Sequence, residues 1–160
     1  MTTPKLAVPL AAALALALPA AGASGASTIA LKAERVDALS ATVLAAPNGR
    51  TLYRLKPETA RHLLCTSKTC LGAWHPLTVR SKTATVRLPS GYKGHAHLLR
   101  RGASYQVMIG SEPLYTFVGD SAAGQAAGDG ISSFGGTWHT LTVAADAAAP
   151  AQPAPSPYPY

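Results

Sequence analysis

Pro113-Leu114-Tyr115-Thr116-Phe117-Val118-Gly119-Asp120 is the stretch whose reading decides the fold. Its apolar and aromatic residues alternate until a Gly-Asp pair ends the run, the pattern of a short half-buried strand closed by a turn. Thr51-Leu52-Tyr53-Arg54-Leu55-Lys56-Pro57-Glu58 echoes it, with Leu-Tyr in register and an acid five residues past each tyrosine. Trp74-His75-Pro76-Leu77-Thr78-Val79 likewise returns as Trp138-His139-Thr140-Leu141-Thr142-Val143. The tyrosines stand 62 residues apart and the tryptophans 64, so one unit is expected twice in one chain. The copies are read over about 41–79 and about 103–143 of a single β domain, 27–143.

The ends of the chain carry compartment information. A single Lys5 precedes an apolar run from Leu6 to Leu18, and Ala21-Gly22-Ala23 or Ser24-Gly25-Ala26 follows. This is the layout of a cleaved secretory signal, read over 1–26, and predicts an exported chain, periplasmic or extracellular. The run falls short of the roughly 20 apolar residues that cross a bilayer, so no transmembrane span is expected. Residues 144–160 are dominated by Ala and Pro and end in Pro157-Tyr158-Pro159-Tyr160. With so little to bury, they are read as a disordered tail.

The formal charge of +7 becomes +6 once Lys5 is removed, and the basic residues are scattered over the domain. Such a surface favours anionic partners such as an acidic envelope polymer. Export and the lack of a binding motif argue against nucleic acid.

Along the chain, Ile29 to Leu39 fits either a strand or a linker. Ala41 to Ala46 reads as a strand, Pro47-Asn48-Gly49 as a hairpin turn, and Thr51 to Leu55 as the return strand. One short helical turn is expected in Thr59 to Leu64. Cys65 and Cys70 are the only cysteines, close together in an exported chain, and predict a disulfide. Thr83 to Leu88, His95 to Leu99 and Ala103 to Ile109 read as strands, with Arg100-Arg101-Gly102 turning between the last two. Asp120 to Gly136 is a glycine-rich loop in the place of the cysteine loop of the first unit. Its Gly128-Asp129-Gly130 lacks the following helix that a phosphate-binding loop needs. No sustained helical periodicity follows the signal, so the class is all-β: two tandem hairpin-containing repeats packed into one small domain.

The combination of Tyr53, the cysteine pair, the tryptophan segments and the stretch ending at Asp120 resembles a bacterial family. These are the predicted lipoproteins with a Yx(FWY)xxD motif, also described as a secreted repeat of unknown function. Tyr115, Phe117 and Asp120 match the motif, whereas the first copy keeps Tyr53 but has Leu55 and Glu58 at the other two positions. The lipid-attachment cysteine of many members is missing, and His75 and His139 follow the tryptophans where proline or an aromatic is expected. The resemblance implies an exported two-copy module and brings no activity, catalytic residue or cofactor.

The expected structural motif is therefore Tyr53, Glu58, Trp74, Tyr115, Phe117, Asp120 and Trp138, with Asp120 accepting backbone N–H groups from the glycine loop. No Gly-x-Ser-x-Gly or His-Glu-x-x-His arrangement is present, so the chain is read as non-enzymatic, an envelope module that binds or builds, with no required cofactor. Two alternatives are framed by particular residues. His95 and His97, two apart on a strand, would share a face, and His75 and His139 hold equivalent places that a two-fold packing would bring together. These four are the candidate metal or haem ligands. The other alternative is a binder of anionic envelope polymers through the basic surface.

Overall fold

A computed structural model of the chain describes residues 27–143; the signal read over 1–26 and the tail read over 144–160 lie outside the described residues. Turn residues cut this part of the chain into short strands: β1 (Thr28–Ala30), β2 (Lys32–Val36), β3 (Ala41–Ala45), β4 (Tyr53–Lys56), β5 (Trp74–Pro76), β6 (Thr78–Val79) and β7 (Thr85–Arg87). They continue as β8 (Ala96–Arg101), β9 (Ser104–Ile109), β10 (Glu112–Pro113), β11 (Tyr115–Phe117), β12 (Ser132–Ser133) and β13 (Gly136–Thr140). The exceptions are a 3-10 turn, Asp37–Leu39, and one helix, α1 (Lys68–Ala73). The all-β class holds.

The two tyrosine strands lie side by side. β4 and β11 are antiparallel with Tyr53 directly opposite Tyr115, at the centre of a sheet ordered β12-β13-β4-β11-β5. On the outer side of β11, β5 pairs Trp74 with Phe117 and Pro76 with Tyr115. On the outer side of β4, β13 pairs Trp138 with Leu55 and Thr140 with Tyr53. The registers are equivalent, and each tyrosine strand takes its outer partner from the opposite half of the chain.

The same exchange recurs at the sheet ends. The hairpin β2–β3 has its counterpart in β8–β9, with Arg35 opposite Thr42 in one and Arg100 opposite Tyr105 in the other. Leu44 N–H donates to the Leu141 carbonyl at 2.7 Å, and Val107 N–H donates to the Leu77 carbonyl at 2.8 Å. Leu52 N–H donates to Leu44 and Leu114 N–H to Val107, both at 2.9 Å. Backbone groups buried here are thus satisfied by whichever half lies alongside.

Successive side chains on a strand point to opposite faces, so each Leu-Tyr pair feeds two cores. Leu52 and Leu114 enter a cluster with Leu31, Leu44, Val107 and Leu141, which Ile29 of β1 and Val86 of β7 help to close. Tyr53 and Tyr115 enter a second cluster with Leu55, Cys65, Cys70, Trp74 and Trp138. The expectation of a half-buried strand is corrected at this point: Pro113, Leu114 and Tyr115 are all buried, because both faces of the sheet are covered.

Local details also differ. Thr59 to Leu64 holds no helical turn; Thr59 and His62 form an isolated bridge instead. The helix lies further on, where the Ser67 hydroxyl caps the Cys70 N–H and Cys65 and Cys70 join in a disulfide. Ile29 to Leu39 resolves into strands β1 and β2 with the 3-10 turn. Strand β8 runs on through Arg101, leaving the reversal to Gly102 at φ 61°.

Candidate functional site

The motif residues converge on the second cluster. Trp74 and Trp138 reach inward from the two outer strands and stack, ring centres 3.7 Å apart and 5° from parallel. Tyr53 meets Trp74 edge-on at 5.3 Å, and Tyr115 meets Trp138 edge-on at 5.1 Å. Phe117 extends the stack on Trp74 at 4.3 Å. The two edge contacts suit the quadrupoles of the rings, and they flank the close parallel stack of the indoles. The Trp138 indole N–H donates to the Ser133 hydroxyl at 3.1 Å.

The acids tie loops to this stack. Tyr53 donates its hydroxyl to Asp120 Oδ2 at 2.6 Å, and Asp120 Oδ1 accepts the Ala127 N–H at 2.9 Å. Gly128 N–H donates to the Tyr53 oxygen at 3.3 Å. In the other half, Glu58 Oε1 accepts the N–H groups of Leu64 and Cys65 at 2.9 and 3.0 Å. Each acid thereby holds the N–H seven residues ahead of it. Glu58 Oε2 is buried with no hydrogen-bond partner.

Tyr115 differs from Tyr53 in having a cation beside it. Arg101 donates to the Tyr115 hydroxyl at 3.0 Å, to Gln106 Oε1 at 2.6 Å and to the Cys65 carbonyl at 2.5 Å. Gln106, fully buried, passes its amide N–H to the Leu114 carbonyl at 2.9 Å. Burial and then the Glu58 charge push the Tyr115 pKa up to about 12, with Arg101 opposing. Burial and the hydrogen bond to Asp120 raise Tyr53 above its ordinary value. Both phenols are therefore held neutral.

From the sequence, Arg101 and Asp129 read only as turn or loop residues, and neither they nor Gln106 is given a role at this site. Gln106 had one signal, a polar residue among apolar neighbours on a buried strand. Asp129 accepts the Thr140 N–H at 2.8 Å and its hydroxyl at 3.1 Å, fastening the glycine loop to β13.

The histidines are not gathered. His75 lies opposite Thr116 and His139 opposite Arg54, on outer strands separated by β4 and β11. Trp74 and Trp138 point into the second core, so the alternation of side chains turns the adjacent His75 and His139 to the opposite face of their strands, and the packing that joins the tryptophans does not bring these two together as expected. His95 and His97 are both exposed, one ahead of β8 and one on it. Among the described residues no group of three or more His, Cys, Asp or Glu side chains is placed to hold a metal ion.

The fold and this site define a small β module whose conspicuous aromatic and acidic residues lock loops onto a shared core. Residues 104–142, from the start of β9 into the second tryptophan segment, match the model of a family described as a secreted repeat of unknown function. No curated protein and no solved structure matches the chain. Among the described residues no helix is long and apolar enough to cross a membrane.

Proposed function

We propose that the chain is an exported, non-catalytic binding or structural module of the cell envelope, built from two copies of one β unit. The observation that carries this is the state of Asp120. Both of its oxygens are engaged inside the protein, by Tyr53 and by Ala127, and the residue is fully buried. A carboxylate so held serves the fold and has no open approach to a substrate. Glu58, its counterpart, is equally buried and gives one oxygen to two loop N–H groups. The family match supports export, and the equivalent registers around Tyr53 and Tyr115 support the two-copy reading.

The test is fractionation of cells producing the full chain, with mass measurement of the product. The expected result is a processed chain outside the cytoplasm, with its cysteines oxidised. An unprocessed chain retained with cytoplasmic markers overturns the reading.

A further inference from the structure

Outside the aromatic stack, a cleft of about 250 Å³ is lined by Arg54, Tyr92, Lys93, Leu141 and Thr142. Its charges do not balance. Glu112 holds Arg54 through a 2.5 Å contact and also holds Lys56, so one carboxylate faces two cations. Lys93 is exposed and has no carboxylate partner among the described residues. The Arg54 Nε–H is buried and has no acceptor. The remaining walls are the half-buried Tyr92 ring and the buried Leu141 side chain, with the Thr142 hydroxyl at the edge.

We propose that this cleft receives a single oxyanion, carboxylate or phosphate, borne by a small pendant group of an envelope polymer. Arg54 supplies the flat, multiply donating cation that suits such a group, and Lys93 supplies a mobile one at the mouth. Tyr92 and Leu141 offer an apolar surface for the body that carries the charge. The volume falls below the roughly 300–1,000 Å³ of pockets for drug-sized ligands, which suits one pendant residue rather than a whole small molecule. This site rests on the binding role proposed above. Export is tested without reference to the cleft, so failure here leaves the exported-module reading intact.

The experiment is an amide-resolved NMR titration of the processed chain with oligogalacturonate, inorganic phosphate and galactose. The expected result is saturable shifts at Tyr92, Lys93, Leu141 and Thr142 with one or both anions and none with galactose. The anion that saturates names the source as carboxylate or phosphate. Lys93→Gln should weaken binding by about three- to tenfold and flatten its salt dependence. Lys82→Gln, at another exposed lysine, should leave affinity unchanged, and both variants should melt like the parent. Shifts spread over the basic surface, equal losses in the two variants, or no saturable shift with either anion would overturn the proposal.

Discussion

Trp74 and Trp138 lie face to face across the centre of the protein, although their strands are the outer partners of β11 and β4 and are separated by both of them. Each indole reaches over the tyrosine strands to meet the other, so the stack ties together parts of the chain that share no backbone hydrogen bond. It leaves no slack for extra volume. A Cβ at Gly128 would stand 2.7 Å from the Trp74 ring and 3.1 Å from the Tyr53 ring. Gly128→Ala should therefore destabilise the protein by about 1–3 kcal/mol through overpacking. Denaturant titration measures this, and an unchanged midpoint would show that the stack yields.

The Tyr53–Asp120 hydrogen bond should behave as a unit. Tyr53→Phe leaves a buried carboxylate oxygen without its donor and the Gly128 N–H without its acceptor, and Asp120→Ala leaves the Tyr53 O–H and the Ala127 N–H without acceptors. Each should cost about 1–3 kcal/mol. The double variant should lose much less than the sum, because the second change removes a group already orphaned. Full additivity in a double-mutant cycle would refute the coupling.

The pH limbs follow from two groups with opposite signs. The Tyr115 pKa is raised above its ordinary 10.0 to about 12, burial first and the Glu58 charge second. Its contribution to stability is full below the unfolded value and is lost as pH climbs through that interval. Ultraviolet titration should show Tyr115 un-ionised at pH 10 in the folded protein, and Tyr115→Phe should flatten the alkaline decline. For Glu112, burial raises the pKa, but Lys56 and Arg54 outweigh it and hold it below 4.5. That contribution is full above 4.5 and is lost as pH falls through the lower folded value. The stability gap between parent and Glu112→Gln should narrow on acidification; a constant gap would exclude the ion pairs as its cause.

The disulfide should matter beyond its short loop. Closing so few residues limits the unfolded chain by roughly 2 kcal/mol in the chain-entropy model. Cys65 also gives its N–H to Glu58 and its carbonyl to Arg101, so loosening the loop exposes both partners. Cys65→Ala with Cys70→Ala should cost at least about 2 kcal/mol and raise hydrogen exchange at Leu64 and Cys65. Parental stability in the doubly substituted chain would count against this bracing role.

What could be read in advance was local. Leu52-Tyr53 and Leu114-Tyr115 announced strands, Cys65 and Cys70 announced their bond, and Asp120 beside a glycine-rich loop announced an acceptor for its backbone. Phe134 shows where local chemistry misleads: it takes φ 54° in the reversal between β12 and β13, a conformation more usual for Asn or Gly. Its ring, partly buried, packs against the second cluster, and that apolar packing accompanies the unusual backbone. Likewise Arg101, read as part of a turn, extends a strand and meets Cys65, 36 residues away.

By itself the sequence determined the strand-forming segments, the disulfide and the echo between the Tyr53 and Tyr115 regions, because periodicity and turn chemistry act between near neighbours. Only the tertiary structure decided that each tyrosine strand takes its outer partner from the opposite half, that Tyr53 joins the loop N–H of Ala127 in satisfying Asp120, and that His75 and His139 face away from the tryptophan stack. Those outcomes depend on which surfaces cover one another across more than sixty residues. Local pattern leaves that choice open, and burial of two cores on opposite faces of one sheet resolves it.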